Sequence, residues 1–257
     1  MLDKKYLASP SDIRYVYDGG LAGFFCCVYE SVYSKQIPAD IVIESDIQPS
    51  MFCEKYVETD IEKAEKVRNS VKEKISPNAL VLIENVFLSC MEQKELAMLR
   101  FLLMAYRKGA EVLTMLGHPD VVVLLKAQRH LLHEAHLLTG FVRFSDYDGK
   151  LVSTITPKNF ILPFIANHFI NRFYNEEFMI FDKTHKAALI YQNHKRSIIQ
   201  LNNMELFETT ETEKFYQSLW KQFYKTIAIE ERYNPKCRMT NMPKRYWENM
   251  TEMKDLL

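Results

Sequence analysis

Glycine is scarce in this chain, with seven residues in all, and neither G-x-G-x-x-G nor G-x-x-x-x-G-K-[ST] occurs. That excludes the standard dinucleotide fingerprint and the P-loop. The five cysteines are scattered and include no C-x-x-C pair. A zinc ribbon needs two such pairs, and an odd, dispersed set builds no disulfide framework. Reduced, buried thiols in a cytoplasmic protein are expected instead. No eighteen apolar residues run together, so no spanning helix and no membrane partner are expected. The opening "MLDKKYLASPSD" has no apolar core of the kind a signal peptide carries. Excess charge is also missing. Lys plus Arg and Asp plus Glu both number 33, so any basic surface must be a local patch.

What is present is the composition of a globular protein, 47% hydrophobic and 26% charged over 257 residues. No repeat or linker interrupts it, and we expect a single compact domain, 1–257, with a change of character near residue 140. The pattern predicts a strand over 13–17, a helix over 20–35 and a short strand over 41–44. A solvated helix over 59–75 follows, and residues 77–138 are almost wholly helical, broken near Gly109 and at "GHPD". After Gly140, "FVRFSDYDGKLVSTIT" places strand formers on both sides of Asp148-Gly149, a hairpin signal. Thr156 and Pro157 then read as N-cap and first residue of a helix. A second hairpin spans 178–191, and a long helix fills roughly 209–233. The fold class is α+β, with a helix-rich first half, a late antiparallel hairpin–helix–hairpin segment and a long C-terminal helix.

The three clustered glycines, Gly19, Gly20 and Gly23, read G-G-x-x-G between a strand and a helix. This departs from the dinucleotide pattern. A tight structural turn is expected, with Gly23 letting the helix pack close to the strand.

Candidate chemistry lies further on. "RHLLHEAH" puts His130, His133 and His136 within about 120° of one helix face. Glu134 stands one turn after His130, but the sequence is HExH rather than HExxH, and no second cluster completes a metal shell. Neither metal nor cofactor is expected. Arg143 lies between Phe141 and Phe144 in what reads as an aromatic strand, on the core side. A core-facing arginine needs a carboxylate partner or an anionic ligand, and the sequence leaves both open. His168 and Arg172, one helical turn apart, could join such a site, which makes His136, Arg143, His168 and Arg172 the catalytic candidates.

The C-terminal third carries a basic line. On the long helix Phe215, Leu219, Phe223 and Ile227 read as the buried stripe. Lys214, Lys221, Lys225 and Arg232 fall within about 20° of a second line. The helix leads into "RYNPKCRMTNMPKRYW", which has five basic residues and no acid. Phosphates pair with cations, and unpaired bases stack on aromatic rings. Lys214, Lys221, Lys225, Arg232, Lys236, Arg238, Lys244 and Arg245 are therefore candidate phosphate contacts, with Tyr246 or Trp247 stacking on a base of single-stranded or distorted DNA. A tail that packs Trp247 into its own core, or docks a protein partner, is the competing reading.

Three segments, "YDGGLAGFFCCVYE", "HEAHLLTGFVRF" and "NPKCRMTNMPKRYW", together resemble the family of probable DNA metabolism proteins, over about residues 13–247. Tyr17, Asp18, Gly19, Gly23 and Phe24 match its first motif. Glu134, His136, Gly140, Phe141, Arg143 and Phe144 match the second, although Leu137 replaces a common basic residue. Asn234, Pro235, Lys236, Met242, Pro243, Tyr246 and Trp247 match the third. The resemblance implies a gene neighbourhood with a radical SAM protein of DNA modification or repair, and in some bacteria fusion to a uracil-DNA glycosylase-like domain. This chain has no C-x-x-x-C-x-x-C and cannot be the radical enzyme itself. Three readings stay open: an accessory DNA-binding protein acting with a radical SAM partner, a nucleic-acid hydrolase centred on Arg143, or a structural interaction partner.

Overall fold

A computed structural model of the chain describes residues 9–202 and 210–256. The chain divides into two compact units, Met1–Leu131 and Leu132–Leu257, each with its own apolar core. The expected opening segment and residue 209, the expected start of the long helix, lie partly or wholly outside the described residues. Among those described, no helix is long and apolar enough to cross a membrane.

In the first unit, β1 (Ser9–Pro10) pairs in parallel with β3 (Gln36–Ile37). The main sheet has three parallel strands in the order β4 (Asp40–Ile43), β2 (Ile13–Tyr17), β5 (Cys53–Tyr56). Helix α1 (Leu21–Ser34) connects β2 to β4. β2 is the central strand, paired on both edges, and its residues from Arg14 to Tyr17 are buried. Helices α2 (Ile61–Lys74), α3 (Pro77–Phe87) and α4 (Lys94–Lys108) complete the unit with the first part of α5 (Pro119–Phe141). Asp60 caps α2 by accepting the Lys63 N–H at 3.1 Å, and Ser76 caps α3 with Pro77 in its first turn.

The glycine turn is structural. Gly19 takes φ +82°, and Asp18 Oδ1 accepts the Gly20 N–H at 2.8 Å while Oδ2 accepts the Thr59 hydroxyl at 2.7 Å. The chain's own carboxylate thus sits against the start of α1, where a dinucleotide unit would seat a pyrophosphate. A Cβ on Gly23 would overlap Asp18 Oδ1 and lie 2.8 Å from Thr59 Oγ1.

The second unit holds a five-stranded sheet in the order β10-β9-β8-β7-β6. Its strands are β6 (Ser145–Tyr147), β7 (Lys150–Ile155), β8 (Phe178–Asp182), β9 (Ala187–Gln192) and β10 (Lys195–Gln200). The two anticipated hairpins are present, and α6 (Leu162–Arg172) carries the chain from β7 to a parallel β8. Asp148 and Gly149 both have positive φ, the geometry that Asp-Gly favours. Strand β10 was not legible; it follows a second positive-φ turn at Asn193-His194. Then come α7 (Glu211–Thr226), which stops short of the expected end at 233 and leaves Arg232 in a separate short turn over 230–232, then α8 (Pro235–Asn241) and short 3-10 turns over 244–249 and 254–256.

Four expectations are corrected. First, α6 begins at Leu162, not Thr156–Pro157, because the N–H groups of Lys158 and Asn159 go to the Glu134 carboxylate instead of a helix. Second, Arg143 is not in a strand: α5 continues through Gly140 to Phe141, and β6 opens only at Ser145. Third, Phe215, Leu219, Phe223 and Ile227 are exposed rather than buried. Hydrogen bonds choose which face of α7 turns inward. Glu213 accepts the Asp146 N–H at 3.2 Å, Gln217 donates to Ser145 Oγ at 3.2 Å, and the Trp220 indole donates to Glu252 at 2.9 Å. These residues, with Tyr224, recur at i, i+4, i+7 and i+11 and form the inner seam. Fourth, only Cys26 and Cys27 are buried, whereas Cys53, Cys90 and Cys237 are exposed. Burial pushes the Cys27 thiol far above its ordinary range.

Gly20→Ser should leave stability almost unchanged, since Gly20 has φ −85° and its neighbour Asp18 is a side chain that can shift. Gly23→Val should cost about 1–3 kcal/mol by overpacking the strand–helix contact. Urea unfolding midpoints of the two variants test the pair.

Candidate functional site

The second unit is organised around two buried carboxylates. Glu134 on α5 is 1% exposed. Its Oε2 accepts the Asn159 N–H at 2.8 Å and the Asn159 amide at 2.6 Å. Its Oε1 accepts the Lys158 N–H at 3.1 Å, the Tyr246 hydroxyl at 2.8 Å and Arg245 Nη2 at 2.8 Å. Burial alone would raise this carboxyl's pKa. The Asn159 and Lys158 N–H groups, with the Tyr246 and Asn159 side chains, outweigh it and hold the pKa below the ordinary range. Tyr246 moves the other way, raised chiefly by burial, and stays a neutral donor.

Glu252, with a side chain 2% exposed, receives Arg143. The guanidinium is bidentate, with Nη2 at 2.6 Å from Oε1 and Nε at 3.2 Å from Oε2. Arg143 Nη1 donates to the carbonyls of Gly140 at 2.8 Å and Val142 at 3.1 Å, and the Trp220 ring lies 5.6 Å from the guanidinium carbon. Burial opposes the charge on Glu252, but Arg143, its own N–H and Trp220 lower its pKa below the usual value. Arg143 has therefore found a carboxylate of its own chain, and the pair spends most of its donors.

The other catalytic candidates are not gathered to it. His136, His168 and Arg172 are exposed; His168 meets the Phe169 ring at 4.9 Å and Arg172 lies over Phe173 at 5.7 Å. Among the described residues no hydrogen bond or ion pair joins any of them to Arg143, and no group of three His, Cys, Asp or Glu residues converges as a metal site. His133 is exposed on α5, and His130 Nδ1 stands 4.0 Å from Cys90 Sγ.

The basic residues divide into two sets. Arg245 is committed to Glu134, and Lys214 pairs with Glu211 at 2.7 Å. Lys244 lies over the Trp247 ring at 5.7 Å, and Lys236 is exposed. The stacking expectation is corrected here: Tyr246 and Trp247 are 2% and 3% exposed. The Trp247 indole donates to the Met242 carbonyl at 3.0 Å, so the tail anchors its aromatics in the core. Lys221, Lys225, Arg232 and Arg238 line one groove of about 820 Å³ with Tyr224 and Tyr233. Tyr233 is 68% exposed. Arg238 is stacked 5.6 Å from the Tyr233 ring and 5.2 Å from the Trp247 ring, with its Nε buried and unpartnered. The acids of this groove are Glu252, held by Arg143, and Asp255, which accepts Lys221 at 2.8 Å.

Sequence reasoning missed Glu252 and the structural role of Glu134. A single acid between Leu131, Ala135 and Leu138 on a helix was the available signal for Glu134. Glu252 has no comparable marker in its local sequence.

Residues 92–252 match the family described as "Domain of unknown function (DUF4130)", and the chain belongs to that family. No curated protein and no solved structure matches the chain.

Arg143→Met would leave Glu252 buried without its cation, and stability should fall by about 3–5 kcal/mol. Urea unfolding checks this. Glu134 and Glu252 both have lowered folded pKa values, so their contribution is complete above the unfolded carboxylate value of about 4.3 and disappears as pH falls through the folded values. Unfolding midpoints measured down from pH 6 should drop below about pH 4.3, less steeply in Glu134→Gln than in the parent chain.

Proposed function

We propose that this chain is an accessory DNA-binding protein that holds single-stranded or distorted DNA in the groove of Lys221, Lys225, Arg232 and Arg238. The observation that carries the reading is the grouping of these four cations with the open ring of Tyr233. Lysine and arginine neutralise the phosphodiester backbone, and a free tyrosine ring offers a stacking face that accepts any base. The Arg238 guanidinium is held in place between the Tyr233 and Trp247 rings at the groove's edge. In this reading Tyr233 takes the role first expected of Tyr246 or Trp247.

The resemblance to DNA metabolism proteins supports a role for that binding in repair or modification, with a radical SAM partner performing the chemistry in this reading. The exposed apolar face of α7, with Phe215 at 58% and Phe223 at 52%, favours a second reading in which the chain is mainly a protein-interaction partner.

Fluorescence anisotropy with a labelled single-stranded oligonucleotide separates the two. Lys225→Glu with Arg232→Glu should weaken binding across all sequences, and removing one phosphate contact should reduce the salt slope by about 0.7. Tyr233→Ala should cost about 1–3 kcal/mol on single strands and less on duplex. A folded charge-reversal variant that binds as tightly as the parent would overturn the DNA reading and leave the interaction role.

A further inference from the structure

A second basic cavity lies on the sheet of the second unit, outside the groove above. Strand register fixes its floor. Ser145 opposes Val152 and Thr154 opposes Phe181, so these four side chains share one face of the sheet. The alternate residues Leu151, Ile155 and Ile180 take the opposite face and pack into the core. The cavity over the outer face measures about 740 Å³, within the range that encloses small organic ligands.

Its walls are cationic. Lys183 and Lys186 come from the β8–β9 turn, and Lys254 from the last turn of the chain's described residues. The turn is preorganised: the fully buried Asp182 accepts the N–H groups of Thr184 at 3.0 Å and His185 at 3.1 Å, and contacts His185 Nδ1 at 2.6 Å. Arg143 also borders the cavity, with its charge answered from outside by Glu252. Among the residues lining the cavity Glu248 is the only acid, and it is a weak neutraliser. It stands 3.6 Å from Lys183, with both side chains more than half exposed. Thr154, Thr251 and Asn249 add neutral donors, while Val152 and Phe181 give an apolar floor.

Lysine ammonium groups beside a sheet face that mixes Val152 and Phe181 with Ser145 and Thr154 suit a molecule with an anionic end and a planar, partly polar body. We propose that this cavity binds a phosphate monoester of mononucleotide size, either as a free nucleotide or as the 5′-phosphorylated end of a strand. The phosphate meets Lys183, Lys186 and Lys254, and the base lies toward Val152 and Phe181. No bond is made or broken. The site shares no lysine with the groove assigned to DNA, so it stands whether or not that groove binds nucleic acid.

Isothermal titration calorimetry of the full chain tests it, using deoxyadenosine 5′-monophosphate, deoxyadenosine, and one oligonucleotide with and without a 5′-phosphate. Saturable binding of the monophosphate but not the nucleoside supports a free nucleotide. Binding only of the phosphorylated oligonucleotide, in preference to its unphosphorylated form, supports the strand end. In either case Lys186→Ala with Lys254→Ala should weaken binding roughly tenfold or more at an unchanged melting temperature, because each lost partner is a charge-assisted hydrogen bond. Lys225→Glu with Arg232→Glu should leave monophosphate binding intact, which keeps this test separate from that of the DNA groove. Absence of saturable binding by either phosphorylated probe at millimolar concentration overturns the proposal, as does binding that the double-alanine variant retains in full.

Discussion

The second unit depends on one carboxylate. Glu134 is buried on α5, and its hydrogen bonds come from two other places in the chain: the 158–159 segment presents backbone N–H groups and the Asn159 amide, and residues 245–246 close over it. An ionised carboxylate in the interior is tolerated only when its lone pairs are filled, and here the filling groups are what bring distant segments together. The Tyr246 hydroxyl reaches it across 112 positions of sequence. Beside Tyr246, Trp247, Met250 and Met253 lie in the same core, and Glu252 meets Arg143. The two ion pairs thus hold the same tail at two points.

The stretch from 248 to 256 then serves as a partition. Glu248, Asn249, Thr251 and Lys254 border the cavity on the sheet, whereas Glu252, Asp255 and Leu256 border the groove beside α7. Arg143 and Glu252 meet through this wall, each lining the opposite side. A chain of neutral overall charge thereby creates two hollows in whose linings lysine and arginine outnumber the acids.

Local signals in the sequence translated well into local structure. The Asp148-Gly149 turn, the β2 strand and Gly23 each depend on residues within a few positions, and each is where pattern and turn chemistry place it. What failed was tertiary. The stripe of Phe215, Leu219 and Phe223 has helical periodicity and was read as core, because periodicity says which residues share a face and not which face is covered. The inner seam of α7 is polar and aromatic, set by Asp146, Ser145 and Glu252. For Arg143 the sequence leaves a carboxylate partner and an anionic ligand both open, and the carboxylate that decides it stands 109 positions away. For the candidate groove, Lys221 and Lys225 are legible as a line on a helix, whereas Arg232 and Arg238 reach it from beyond the end of α7, and Tyr246 and Trp247 differ from Tyr233 in being buried.

The mooring of α7 has a thermodynamic consequence. A helix held by apolar area contributes to the heat capacity of unfolding, since its release exposes hydrocarbon to water. α7 already shows its apolar stripe to solvent and is fastened largely by side-chain hydrogen bonds, so its detachment would carry only the smaller increment from the covered parts of Trp220 and Tyr224. Cooling, which weakens apolar cohesion, acts more on the sheet and its covering helices than on this attachment. Acid that neutralises Glu252 discharges its pair with Arg143, weakens the charge-assisted bond from the Trp220 indole and loosens α7 while the core beneath it is still apolar and intact. Temperature and protons therefore pull on different parts of the same unit.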